Sequence, residues 1–219
     1  MKSIKTILGV CVMALASLSI NAQGLPQPSP AASFTQTVGV TNISMDYSRP
    51  NVKGRTIWGD LVPYGKAWRA GANSSTKIEF STDVTINNVL VPAGKYAVYV
   101  IPTEKDWTFI ISNYVDGWGV GDYTEATDIV RVTATPKQVE MTQSLMYSVN
   151  NISDNSCEIS LTWEKLSAGF LVNINTTELA GIVVEKTIAE ADDSFRAYND
   201  AAKWYLANNN AVKAVDLAK

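Results

Sequence analysis

Ile159, Leu161 and Trp163 alternate with Glu158, Ser160, Thr162 and Glu164, and Phe170, Val172 and Ile174 alternate with Leu171, Asn173 and Asn175. Earlier in the chain Ile43, Met45 and Tyr47 alternate with Ser44, Asp46 and Ser48. A period of two gathers one set of side chains on one face, as in a β-strand with a single buried surface. A helix would spread the same residues around its circumference. Runs rich in β-branched and aromatic residues predict further strands at 33–38, 76–81, 83–87, 95–101, 107–113, 129–135 and 143–149. The segment 96–101, YAVYVI, is apolar on both faces and is predicted to be a central, doubly covered strand. Asn87-Asn88, Pro92-Ala93-Gly94 and Asp116-Gly117 supply turn chemistry between the runs. Short strands in such number, with no helix between them, predict a mainly β fold: an antiparallel β-sandwich or jelly-roll-like domain over residues 33–181.

Beyond Gly181 the period changes. Thr187 and, three residues on, Glu190 have the spacing of a capping box. Ile188, Ala191, Phe195, Tyr198, Ala202 and Tyr205 then follow at helical spacing. Asn208-Asn209-Asn210 interrupts that pattern, and Ala211 to Lys219 begins another helix, apolar at Val212, Val215 and Leu217. Residues 182–219 are therefore expected to form a short C-terminal helical hairpin. A lone hairpin cannot bury its apolar face, so it is expected to pack on the sheet or to join copies of the chain in a homo-oligomer.

The N-terminus carries Lys2 and Lys5, an apolar run from Ile7 to Ile20 and a small residue at Ala22. That layout predicts a secretory signal peptide over residues 1–22, its apolar run too short for a transmembrane span. Gln23 to Ala32, with Pro26, Pro28 and Pro30, is expected to be an extended lead-in. Losing residues 1–22 removes two lysines and no acid, which takes the net charge from −3 to −5. An acidic chain without a basic tract is not expected to bind nucleic acid or an anionic membrane surface. It also loses Cys11, so Cys157 has no intramolecular disulfide partner and stability must come from the core.

The chain contains no histidine. That removes the commonest general base, the serine triad and the histidine-lined metal sites. No glycine-rich phosphate loop opens a helix, and Cys157 lies in a predicted strand with no base to activate it. No catalytic residue, metal site or cofactor is expected. Carboxylates at Asp116, Asp122, Glu125 and Asp128 leave one alternative open, a hydrolase or a calcium-binding loop.

The stretch from Ser48 to Thr76 links two predicted strands by a crossing with no regular element of its own. Such a crossing is either functional or unusually well packed. It places Arg55, Trp58, Tyr64, Trp68, Arg69 and Asn73 among glycines at 54, 59, 65 and 71. A tryptophan beside an arginine offers a flat apolar surface next to a planar fork of donors, suited to a sugar face or a carboxylate. The same residues could instead close one end of the sandwich, with the arginines satisfying loop carbonyls. Trp118 and Tyr123 extend the candidate surface.

The run RPNVKGRTIWGDLVPYGKAWRAGAN, then LVPAGKYAVYVIP, DWTFIISN, the GWG-x-x-DY loop and the closing SLTWEKL and FLVNI segments resemble the bacterial secreted domain-of-unknown-function family 2911. The resemblance covers about residues 33–177. It implies an exported β-sandwich-like domain, followed by helices similar to a tetratricopeptide hairpin, and it brings no catalytic residues. One departure is that Ser74 follows the Gly-Ala-Asn segment where the family pattern has Glu. The function expected is a non-enzymatic ligand- or partner-binding module of the periplasm or cell envelope. An envelope hydrolase using the loop carboxylates and a purely structural scaffold are the alternatives.

Overall fold

The computed structural model describes residues 26–190 and 195–218, so the signal peptide expected at 1–22 lies outside the described residues. The alternating segments pair into antiparallel sheets. The strands are β1 (Ala31–Val38), β2 (Thr41–Ser48), β3 (Thr76–Phe80), β4 (Val84–Ile86), β5 (Val89–Val91), β6 (Gly94–Pro102), β7 (Trp107–Ser112), β8 (Asp128–Ala134), β9 (Lys137–Asn150) and β10 (Ser156–Asn173). A six-stranded sheet runs in the order β1-β2-β3-β6-β7-β8, and a four-stranded sheet in the order β5-β4-β10-β9. The mainly β, two-sheet architecture followed by C-terminal helices is the one expected from the alternation.

Ile43, Met45, Ile78, Phe80, Val98 and Phe109 of the larger sheet meet Ile86, Leu145, Ile159, Leu161, Phe170 and Val172 of the smaller one in a common core. The Phe109 and Phe170 rings lie 5.2 Å apart across it. On β6, residues 96–100 are all buried, as their apolarity on both faces predicts. The outer cover is a loop, not a second sheet: Tyr114 and Tyr123 fold over Ala97, Tyr99 and Ile110.

The structure departs from the sequence reading at three places. The Asn87-Asn88 turn has φ of 49° and 62°, the double left-handed geometry of a tight hairpin. It therefore leads into an additional short strand, β5, which pairs Val91 with Val84. Segment 158–164 and residues 170–173 of the second segment form one strand, β10, instead of two. In the first, odd-numbered residues face the core, and in the second, even-numbered ones do. Glu164 has φ 57°, and on either side of it the register shifts, with β9 running through more residues than β10 in a β-bulge opposite Glu164. Across this irregularity the phase of β10 changes by one residue, so both sets turn inward.

The third departure is at the C-terminus. Helix α1 spans Thr176–Glu190, starting before the expected position 182, and Thr187 lies inside it. The Thr187 hydroxyl donates to the Val183 carbonyl at 2.8 Å, an intrahelical bond in place of a cap. Helix α2 (Phe195–Ala207) and the seven-residue α3 (Ala211–Leu217) follow, with the Asn210 side chain accepting from the Lys213 amide at the start of α3. Glu185 of α1 joins all three, accepting from Tyr205 of α2 and Lys213 of α3. No helix of the described residues is long and apolar enough to cross a membrane.

Candidate functional site

Thr76 of β3 pairs with Val98 of β6, and further along β6 the same lane is completed by the crossing segment. Trp68 exchanges two backbone hydrogen bonds with Val100, each 2.8 Å, and the Gly65 amide donates to Pro102. Residues 69–75 are thus an excursion from an interrupted strand. Its neck is tied by the Thr76 amide to the Arg69 carbonyl at 3.4 Å and by the Trp68 indole to the Gly71 carbonyl at 3.1 Å. At its centre Ala70 is fully buried at φ 54°, a left-handed conformation that disfavours a Cβ. Hydroxyls of Thr76 and Tyr147, both at 3.0 Å, hold the Ala70 carbonyl and fix this strained turn in place.

The rest of the crossing is pinned by its own apolar anchors. Val52, Ile57 and Val62 are buried in the main core. Gly59 lies under the Tyr64 ring, where a Cβ would stand 2.8 Å from the ring edge, and its φ of 84° suits glycine. Gly71 has an ordinary φ and is required for space: a Cβ there would meet the Thr76 hydroxyl at 2.8 Å.

Four tryptophans from distant positions converge behind this loop. Trp58 packs on Trp107 with ring centroids 4.3 Å apart, and Trp68 stacks on Trp163 at 5.9 Å. Trp58 also meets the edges of Trp68 and Trp163. Trp107 opens β7 and Trp163 precedes the bulge of β10, so the two sheets together deliver the cluster. Neither was a sequence candidate. Their inward parity on predicted strands was the available signal, but it marks them only as core.

In front of the cluster lies a cavity of about 230 Å³, with Arg55, Leu61, Trp68, Arg69, Gly71 and Trp163 in its lining. Arg55 is anchored by donating to the Val52 carbonyl at 3.1 Å and the Asn51 carbonyl at 2.5 Å. Arg69 differs. It is half-buried, its Nε is buried without an acceptor, and among the described residues no hydrogen bond or ion pair engages its guanidinium. The loop after β7 passes beside it, so that a Cβ on Gly119 would lie 4.0 Å from Arg69 Nη1.

The remaining candidates are dispersed. Asn73 is a tie, its amide donating to the Ser29 carbonyl and the Ser48 hydroxyl, both at 3.1 Å. Tyr64 covers Gly59 at the edge of the crossing. Trp118 is 79% exposed and bridges to Ser74, the residue that replaces the expected glutamate. Tyr123 sits on the opposite face of the larger sheet, its ring 4.5 Å from Tyr99. Its hydroxyl donates to Asp128 at 2.9 Å, and burial, with Asp128 adding to it, pushes the phenol up to about 12.

The loop carboxylates are mostly engaged. Arg131 holds Asp128 at 2.7 Å and Glu125 at 3.2 Å, and Lys77 reaches Asp116 at 3.7 Å. Among the described residues no three acidic or thiol groups converge as metal ligands. Burial pushes the Cys157 thiol up to about 11, far from a nucleophilic thiolate at neutral pH. A wider groove of about 410 Å³ crosses Asp46, Ser48, Ser75, Lys77 and Lys95. Its lysines are already paired, Lys77 with Asp116 and Lys95 with Asp46 and Glu79.

The crossing, the paired strands after it and all but the last residue of the bulged strand β10 fall within the segment that a family model, described as Protein of unknown function (DUF2911), matches: residues 29–172. The chain belongs to this family. The matched segment of the DUF2911 chain contains the whole tryptophan cluster and both cavity arginines and stops short of the helices. No curated protein and no solved structure matches the chain.

Proposed function

We propose that this DUF2911 protein is an exported, non-enzymatic ligand-binding module of the periplasm or cell envelope, with the cavity between Arg55 and Arg69 as its binding site. The observation that carries the reading is the Arg69 guanidinium, half-buried without a partner beside a strained turn and a tryptophan wall. Buried polar groups in native proteins are normally matched, and strained backbone collects at functional sites. Export rests on the basic and apolar pattern of residues 1–22. The exposed Trp118 indole extends the surface beyond the cavity, and the absence of histidine, with the pairing of the loop acids, favours binding over turnover.

The test blocks the cavity without touching charge. The mature protein and its Ala72→Phe variant, whose ring would fill the space lined by Ala72, are incubated with the small-molecule fraction of an envelope extract. Mass spectrometry of retained compounds is expected to find a species held by the open protein and lost from the variant. Retention of nothing, or equal retention by both, overturns the reading.

A further inference from the structure

We infer that the ligand presents a carboxylate, and that the Arg69 fork recognises it. The inference rests on the ligand-binding reading above and adds the chemistry of what is bound.

The described residues contain four buried side-chain polar atoms without a hydrogen-bond partner: Trp58 Nε1, Trp107 Nε1, Trp163 Nε1 and Arg69 Nε. All four belong to the cavity or to the aromatic cluster behind it. Each is an N–H donor on a side chain that has no acceptor atom. Polar groups elsewhere in the core find partners, as Tyr147 does with Ala70 and Ser75 with Gly117. What this corner of the molecule lacks is acceptors and, around Arg69, negative charge. The Nε–H of Arg69 is buried with no acceptor while the rest of the guanidinium is only half-buried, so an anionic ligand entering the cavity would supply the acceptor and the opposite charge.

Shape narrows the anion. A carboxylate is planar, acceptor-only and matched to the guanidinium fork by two parallel bonds. Phosphate sites commonly add a row of backbone amides at a helix N-terminus, and this cavity is walled instead by Trp68, Trp163 and Leu61. Two cations face it, and Arg55 has already committed two of its donors to carbonyls. A single negative charge on an apolar body therefore fits better than a dianion. The volume of about 230 Å³ falls below the roughly 300–1,000 Å³ of sites that enclose a whole drug-sized ligand. The cavity thus takes the carboxylate-bearing end of a molecule, from a peptide terminus or an acidic sugar.

The experiment pairs each acid with a neutral isostere: N-acetyl-Ala-Ala with its C-terminal amide, and glucuronate with glucose. Binding to the mature protein is read by calorimetry and by the fluorescence of the tryptophan cluster. At least one acid is expected to bind, with its neutral partner weaker by about 10-fold or more, the range of a charge-assisted pair. Arg69→Gln should lose the same factor without a change in melting temperature, and Arg69→Lys should recover only part of it. The acid that binds identifies the source. Equal binding of acid and isostere, no binding of either acid, or undiminished binding by Arg69→Gln overturns the carboxylate inference. If the cavity still retains a neutral compound from the extract, the ligand-binding reading stands without it.

Discussion

Trp68 and Arg69 are neighbours in sequence and opposites in structure. Trp68 pairs with Val100, donates to Gly71 and stacks on Trp163, so its removal opens a hole in the tryptophan cluster. The Arg69 side chain, by contrast, makes no hydrogen bond or ion pair among the described residues. Truncating a large aromatic in a core costs about 3–5 kcal/mol, and Trp68→Ala is expected near the lower end because the residue is half-buried. Arg69→Ala should change stability by less than about 0.5 kcal/mol, the range of surface substitutions that break no network. Urea unfolding of both variants checks the contrast, and a comparable large loss for both would make Arg69 part of the sandwich closure.

At the level of elements, β10 depends on one residue. Ile159, Leu161 and Trp163 reach the core from one phase, and Ala168, Phe170 and Val172 from the other, because the bulge at Glu164 absorbs the difference. Deleting Glu164 would force one set onto the outer face, so that variant is expected to lose its cooperative thermal transition altogether. Glu164→Gly keeps the bulge and removes the penalty of φ 57°, and it should be neutral or more stable by up to about 1 kcal/mol. Circular dichroism melts of the pair separate register from side chain. A deletion variant that melts like the parent would show that the strand can slip.

Across the whole molecule, buried neutral acids set an alkaline limit. Burial raises the Cys157 thiol from 9.0 to about 11 and the Tyr123 phenol from 10.0 to about 12, and it also raises Tyr96, Tyr99 and Tyr147. These groups are uncharged when protonated. The folded chain keeps its protons at a pH where the unfolded chain has released them, so unfolding gains as pH rises. Their contribution is complete below about pH 9 and declines between about pH 9 and 12. Urea midpoints measured from pH 8 upward should fall over that window. Cys157→Ala should flatten the first part of the decline and leave the later, tyrosine-driven part intact.

Much of this protein was legible in its sequence because the deciding signals are local. Alternation at Ile43 to Tyr47 and Ile159 to Trp163 marks strands, since successive side chains must point to opposite faces whatever they pack against. The concentration of arginine and aromatic residues between Ser48 and Thr76 likewise marked the segment that forms the cavity. Tertiary structure alone decided the rest. Trp107 and Trp163 join Trp58 and Trp68 only because two sheets stack and bring together residues far apart in the chain. The left-handed turn at Glu164 is stable only where both of its flanks are held to a core, which no short window of residues contains. Asn73, Tyr123 and Arg69 all carry hydrogen-bond donors, and partners decide what each does. The donors of Asn73 and Tyr123 are engaged by Ser29, Ser48 and Asp128, and the side chain of Arg69 faces a cavity without a partner among the described residues. Sequence sets which hydrogen bonds a side chain is able to make, and the packing of the whole chain sets which of them remain unmade.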